Sequence, residues 1–115
     1  MQQTYDTTTI ADNATESGVI ELRGYKLAAV IIPSAWTTAD LTVLVSPTKE
    51  GTYVPLYTDD GTEVKVTVGG TSRAVAFDFF ATSLATCAFI KLRSGTASTP
   101  VAQADPRTLI VLLKD

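Results

Sequence analysis

With 115 residues, 12.2 kDa and a net charge of −3, the chain is one domain by length, and large enough to bury a core of its own. Its nine Lys and Arg are scattered, so no basic stripe neutralises phosphates and nucleic acid is not an expected partner. Histidine is absent, which removes the usual general base and most zinc and iron sites, and no apolar run approaches the roughly 20 residues that span a bilayer.

Only 18% of the residues are charged while 45% are hydrophobic. Thr is abundant, a composition that suits strands and a chain with much of its surface against other protein. Residues 1–16 are polar and read as an N-terminal arm or first strand over Thr7–Ala11, followed by a turn at Asp12-Asn13-Ala14. Residues 17–115 read as the domain proper. Met1–Asp6 lacks a charged-then-apolar export pattern, so the chain is expected to be made and kept in a cytoplasm.

Val19–Leu22 and the long stretch 25–33 flank Arg23-Gly24, which predicts a hairpin. The second of these, Lys26-Leu27-Ala28-Ala29-Val30-Ile31-Ile32-Pro33, has no polar side chain between Lys26 and Pro33. A half-solvated strand alternates apolar with polar, so this run demands cover on both faces. Leu41–Ser46 and Tyr53–Tyr57 predict strand, turn and strand, with Pro55 restricting the second to a sheet edge or bulge. Asp59-Asp60-Gly61 is a tight turn, and Glu63–Val68 alternates strictly with three Val on one face.

Gly69-Gly70 turns the chain into Ser72–Asp78, after which Phe79–Thr86 predicts a short helical turn or crossing whose aromatic pair plugs the core. The lone Cys87, between Thr86 and Ala88-Phe89, reads as a small buried hydrophobe without a disulfide partner. Ala88–Arg93 is a strand. The loop from Ser94 to Pro106 is long for a compact domain, which marks Thr96, Pro100, Val101 and Pro106 as a docking loop. Arg107–Leu113 closes the chain as a second strand apolar on both faces. Eight or nine short strands about ten residues apart predict an all-β fold, an antiparallel β-sandwich of jelly-roll-like type.

Chemistry is sparse. Asp40, Glu50, Asp59, Asp60 and Glu63 are the carboxylates available for paired acid-base work, yet each falls in a turn or at a strand end, where acids are ordinarily solvated. Asp59-Asp60-Gly61 lacks the spaced oxygen ligands of a calcium loop. No catalytic residue, metal site or cofactor is expected, and the chain does not read as an enzyme. Trp36, Tyr53 and Tyr57 allow two readings: an aromatic platform for a sugar ring, or packing at the rim of the core and along an edge strand.

The run Gly24-Tyr25-Lys26-Leu27, Ile32-Pro33-Ser34-Ala35-Trp36, Leu41–Ser46, Gly51–Tyr57 and Asp59-Asp60-Gly61, together with Phe89–Thr96 and the closing apolar strand, resembles small virion proteins of tailed bacteriophages. The likeness spans about 18–113. It implies a jelly-roll-like accessory subunit of the virion, assembled in the host cytoplasm: a capsid decoration or cement protein, or else a tail-fibre, baseplate or carbohydrate (receptor)-binding module. The partners expected are copies of itself, a trimer suiting a capsid's threefold sites, and the major capsid protein or another virion protein, with no membrane. Leu27, Val30, Ile32, Leu109, Val111 and Leu113 are the residues expected to serve the core or self-association.

Overall fold

The computed structural model describes residues 3–77 and 88–115. Among them nine strands form two antiparallel sheets packed as a β-sandwich. The first sheet has the order β1 (Gln3–Ile10), β9 (Arg107–Lys114), β3 (Lys26–Ile32), β7 (Arg73–Ala76). The second runs β2 (Ile20–Glu21), β8 (Phe89–Ser94), β4 (Leu41–Ser46), β5 (Val54–Pro55), with β6 (Lys65–Val66) also on β4. The pairings are nested: β1 with β9, β2 with β8, β3 with β7 and β4 with β5. A long hairpin wrapped over two layers gives this nested order.

Alternation explains which residues enter the core. Leu109, Val111 and Leu113 of β9 face inward, as do Thr8 and Ile10 of β1, Leu41 and Val43 of β4, and Ile90 and Leu92 of β8. In β3 the buried residues are Leu27, Val30 and Ile32. Leu27 and Val30 are three apart, an odd step that a regular strand sends to opposite faces. The register with β9 shifts between Leu27 and Ala29, and this bulge resets the phase so that both leucine and valine point inward. All six residues assigned to core or self-association therefore lie in the core.

The hairpin predicted for Val19–Leu22 and 25–33 is not formed: β2 pairs β8 in one sheet while β3 pairs β9 and β7 in the other. Arg23 and Gly24 both have positive φ, 52° and 85°, as a tight hairpin turn would require. Here they carry the chain between layers, because Ile20 and Leu22 on one side and Leu27 on the other bury into the same core. The alternation of Val64, Val66 and Val68 toward the core holds, although only Lys65–Val66 is ladder-paired. Pro55 sits on the outermost strand as its missing N–H demands. Residues 3–10 form a longer first strand than expected, paired along its length with β9. Cys87, the Phe79-Phe80 pair and the turn or crossing over 79–86 lie outside the described residues.

The loop 94–106 is held by its own chain. Gly95 and Pro100 bridge, and Gln103, fully buried, donates from Nε2 to the Thr37 carbonyl (3.0 Å) and to Ser94 Oγ (2.7 Å). Its Oε1 accepts from the Thr37 amide (2.8 Å) and from Arg107 Nε (3.1 Å). Its backbone joins Asn13 and Ala14.

Candidate functional site

The two exposed sheet faces differ in kind. On the second sheet, Arg93 pairs with Glu63, whose carboxylate also accepts the Ala97 amide, and Arg93 Nε donates to Thr42. Lys91 lies 4.7 Å above the Tyr53 ring and 3.9 Å from Glu16. Lys49 reaches Glu21 at 3.0 Å, and that bond holds the Glu21 carboxyl below its usual range. Among the described residues every salt bridge has one member on a strand of this sheet and none on β1, β9, β3 or β7.

The first sheet turns a different surface outward. Reading across its ladders, Thr7, Ile110, Ile31 and Ala74 make one row, and Tyr5, Leu112, Ala29 and Ala76 the next. Thr7 ends the first row, and polar rows flank the two: Thr9 and Thr108, their hydroxyls 3.3 Å apart, on one side, and Gln3, Lys114 and Lys26 on the other. Tyr5 is 67% exposed, the most exposed large apolar side chain among those described. At the bulge, where Ala28 and Ala29 together face Leu112, the small side chains leave a depression of about 200 Å³ that Gln3 and Lys114 also line. A contiguous apolar sheet face bounded by polar residues is the usual mark of a protein-binding surface.

The second face of the two doubly apolar stretches is thus the outer one, carried by Ile31, Ile110 and Leu112 rather than by the six buried residues. Sequence reading missed these three, although they occupy the alternate positions of the same strands. Tyr5 had no signal in sequence beyond being an aromatic residue among threonines.

The other anticipated residues are dispersed. Trp36 is 9% exposed, packs in the core and spends its indole N–H on the Ala39 carbonyl at 3.2 Å. It lines a cleft of about 370 Å³ with Asp40, Val68 and Gly70, a cleft whose walls include neither Tyr53 nor Tyr57. Tyr53 lies beneath Lys91 and donates to the Lys49 carbonyl, and Tyr57 stands half exposed beside the turn at 58–62. Of the docking-loop residues, Pro100 and Pro106 are exposed and Thr96 and Val101 half-buried, in a loop whose tip is tied to Glu63. Of the remaining candidate acids, Asp40 faces Lys65 at 3.9 Å, and Asp60 accepts from the Thr58 hydroxyl and the Thr62 amide within a hairpin turn. No cluster of three metal-ligating side chains occurs among the described residues.

No family model matches the chain, and no curated protein matches it. Among solved structures it is similar to the crystal structure of the SPBc2 prophage-derived protein YomS, with a TM-score of 0.56 at 13% identity, covering 100% of this chain and 96% of that one. The two share a fold.

Proposed function

We propose that this chain is a virion structural protein that associates with copies of itself and docks on a capsid lattice, as a decoration or cement protein does. The observation that carries the reading is the outward apolar face of the first sheet, set against an opposite face already occupied by its own ion pairs. Burying Ile31, Ile110, Leu112 and the alanines across a joint between shell subunits opposes their separation through the hydrophobic effect. Support from outside the chain is the fold it shares with a prophage-derived protein. A sugar-binding role has no comparable feature, since Trp36 is enclosed and lies in a cleft without either tyrosine.

The test is co-sedimentation with intact virions of the source phage, with copy number counted against the shell protein. Wild-type protein is expected at a fixed ratio near that of the capsid's repeating sites and raises the melting temperature of the shell. Ile110→Lys and Leu112→Lys, both on half-buried positions, are expected to fold and to lose binding at least about tenfold, as an interface anchor does. A wild-type protein absent from virions, or variants that bind unchanged, overturns the proposal. A copy number of a few per particle moves the chain from shell to tail.

A further inference from the structure

We infer that the free edge of β1 pairs with the same edge of a second copy, antiparallel and centred on Tyr5. This names the self-association contact of the assembly proposed above and rests on that reading for its purpose, while its geometry stands on the strand itself.

In a strand, the N–H and C=O of one residue point to the same side and those of its neighbours to the other. The Thr9 carbonyl accepts from the Gly18 amide at 3.2 Å, on the side away from β9. The Thr7 amide likewise turns away from β9, to the Asp6 carboxylate at 2.8 Å. Odd-numbered residues of β1 therefore aim outward, and even-numbered residues hold β9. The same phase carried through β9 and β3 sends Ala28 toward β7, where its carbonyl accepts the Phe77 amide. Tyr5 is then the one odd residue between Gln3 and Thr9 with both backbone groups unpartnered among the described residues.

Edges of this length normally carry a guard such as Pro, Lys or a bulge. β1 has no Pro, Lys or bulge, its register with β9 being unbroken over eight residues; its one charge, Asp6, bonds the Thr7 amide, and the open part of the edge is Gln3 to Thr7. Self-pairing has few registers to choose from. Centring on Thr7 would require the amide already given to Asp6, and centring on Asp6 would set two carboxylates directly opposite, which is unfavourable. Beyond Thr7 the edge is covered by Ser17 and Gly18.

Centring on Tyr5 meets none of these obstacles. The two Tyr5 residues exchange N–H···O=C bonds, each Gln3 amide reaches the other copy's Thr7 carbonyl, and the Thr7–Asp6 contact is kept. On the inner side Thr4 falls opposite the other copy's Asp6, a hydroxyl against a carboxylate. There the edge borders a groove of about 170 Å³ with Arg23 and Tyr25 in its wall. On the outer side the two tyrosine rings meet, and the apolar rows of both sheets join into one continuous face. The occupant is a second copy because β1 supplies both halves of the match.

The experiment compares wild type with Tyr5→Pro by light scattering across concentration and by thermal unfolding at a dilution where both are monomeric. Proline removes the Tyr5 amide, which the central exchange of the pairing needs and the fold leaves unused, so monomer stability is expected to hold while the dissociation constant rises at least tenfold. Amide exchange at Tyr5 in the wild type is expected to slow as concentration increases. A wild-type monomer at all concentrations, a mass of three chains, or unaltered association of Tyr5→Pro overturns the inference. So does a Tyr5→Pro chain that fails to fold, since that amide would then belong to the sheet. Virion binding measured on the same samples separates the two claims: Tyr5→Pro that still binds virions spares the docking reading, and paired wild type that ignores virions removes it.

Discussion

Gln103 carries no mark in the sequence, yet its side chain holds together Thr37, Ser94 and Arg107 while fully buried. Replacing it by Leu leaves the Thr37 amide and carbonyl without their partner, and an unsatisfied buried polar group costs about 1–3 kcal/mol. Gln103→Leu is expected to lower the unfolding free energy by that amount, seen in urea as a lower midpoint with an unchanged slope. Arg93 and Glu63 form the one well-buried ion pair among the described residues. Arg93→Met leaves a carboxylate stranded and is expected to destabilise by about 3–5 kcal/mol, with much of the loss recovered in Arg93→Met/Glu63→Leu. Asp60 behaves differently because it is exposed. Hydrogen bonds from Thr58 and Thr62 hold its carboxyl below the ordinary 3.8. A folded pKa that is depressed gives stability present above 3.8 and lost as pH falls through the lower, folded value. The Thr62 amide resonance is expected to titrate with a midpoint below 3.8, and a midpoint at or above it would refute the turn's bonding. Gln103 meets Thr37 across 66 positions and Arg93 meets Glu63 across 30, so only the local turn at Asp59-Asp60-Gly61 was legible beforehand.

At the scale of single strands, β9 separates two roles residue by residue. Leu109 is fully buried and Ile110 half so, on opposite faces. Leu109→Ala is expected to cost about 2–5 kcal/mol in chemical denaturation and Ile110→Ala well under that. Under the docking proposed above, the order is expected to reverse in virion co-sedimentation. That two stretches are apolar on both faces was readable directly, and so was the sandwich class. Which phase faces inward was not, because a period of two conveys nothing when both phases are apolar, and in β3 the bulge at Ala28-Ala29 changes the phase midway. The false hairpin at Arg23-Gly24 has a related origin. Two positive-φ residues specify a tight reversal but not whether the following strand returns to its own sheet. The loop 94–106 looked like a binding element through length alone, and its fixation by Gln103 depends on contacts 66 positions away.

For the molecule as a whole, the placing of the ion pairs on one sheet and of the apolar rows on the other sets the expected salt response. Contacts between exposed charges are screened within about 3 Å at 1 M salt, whereas burial of apolar area is not weakened by screening. Virion binding through the first sheet is therefore expected to persist at about 1 M sodium chloride within a few-fold. A steep decline with salt would shift the contact to the opposite face, where Lys49, Lys65 and Lys91 lie.

The nested ladder has a kinetic corollary. Leu44 meets Pro55 across a short reversal, whereas Thr9 and Thr108 are 99 positions apart when their hydroxyls meet. Closing so long a loop delays the outermost rungs, and chains dominated by distant partners collapse slowly. A permutant with Gln3 and Lys114 joined through a linker and a new opening cut at the tip of the 58–62 turn would make that remote rung local, and it would be expected to refold faster to the same sheets.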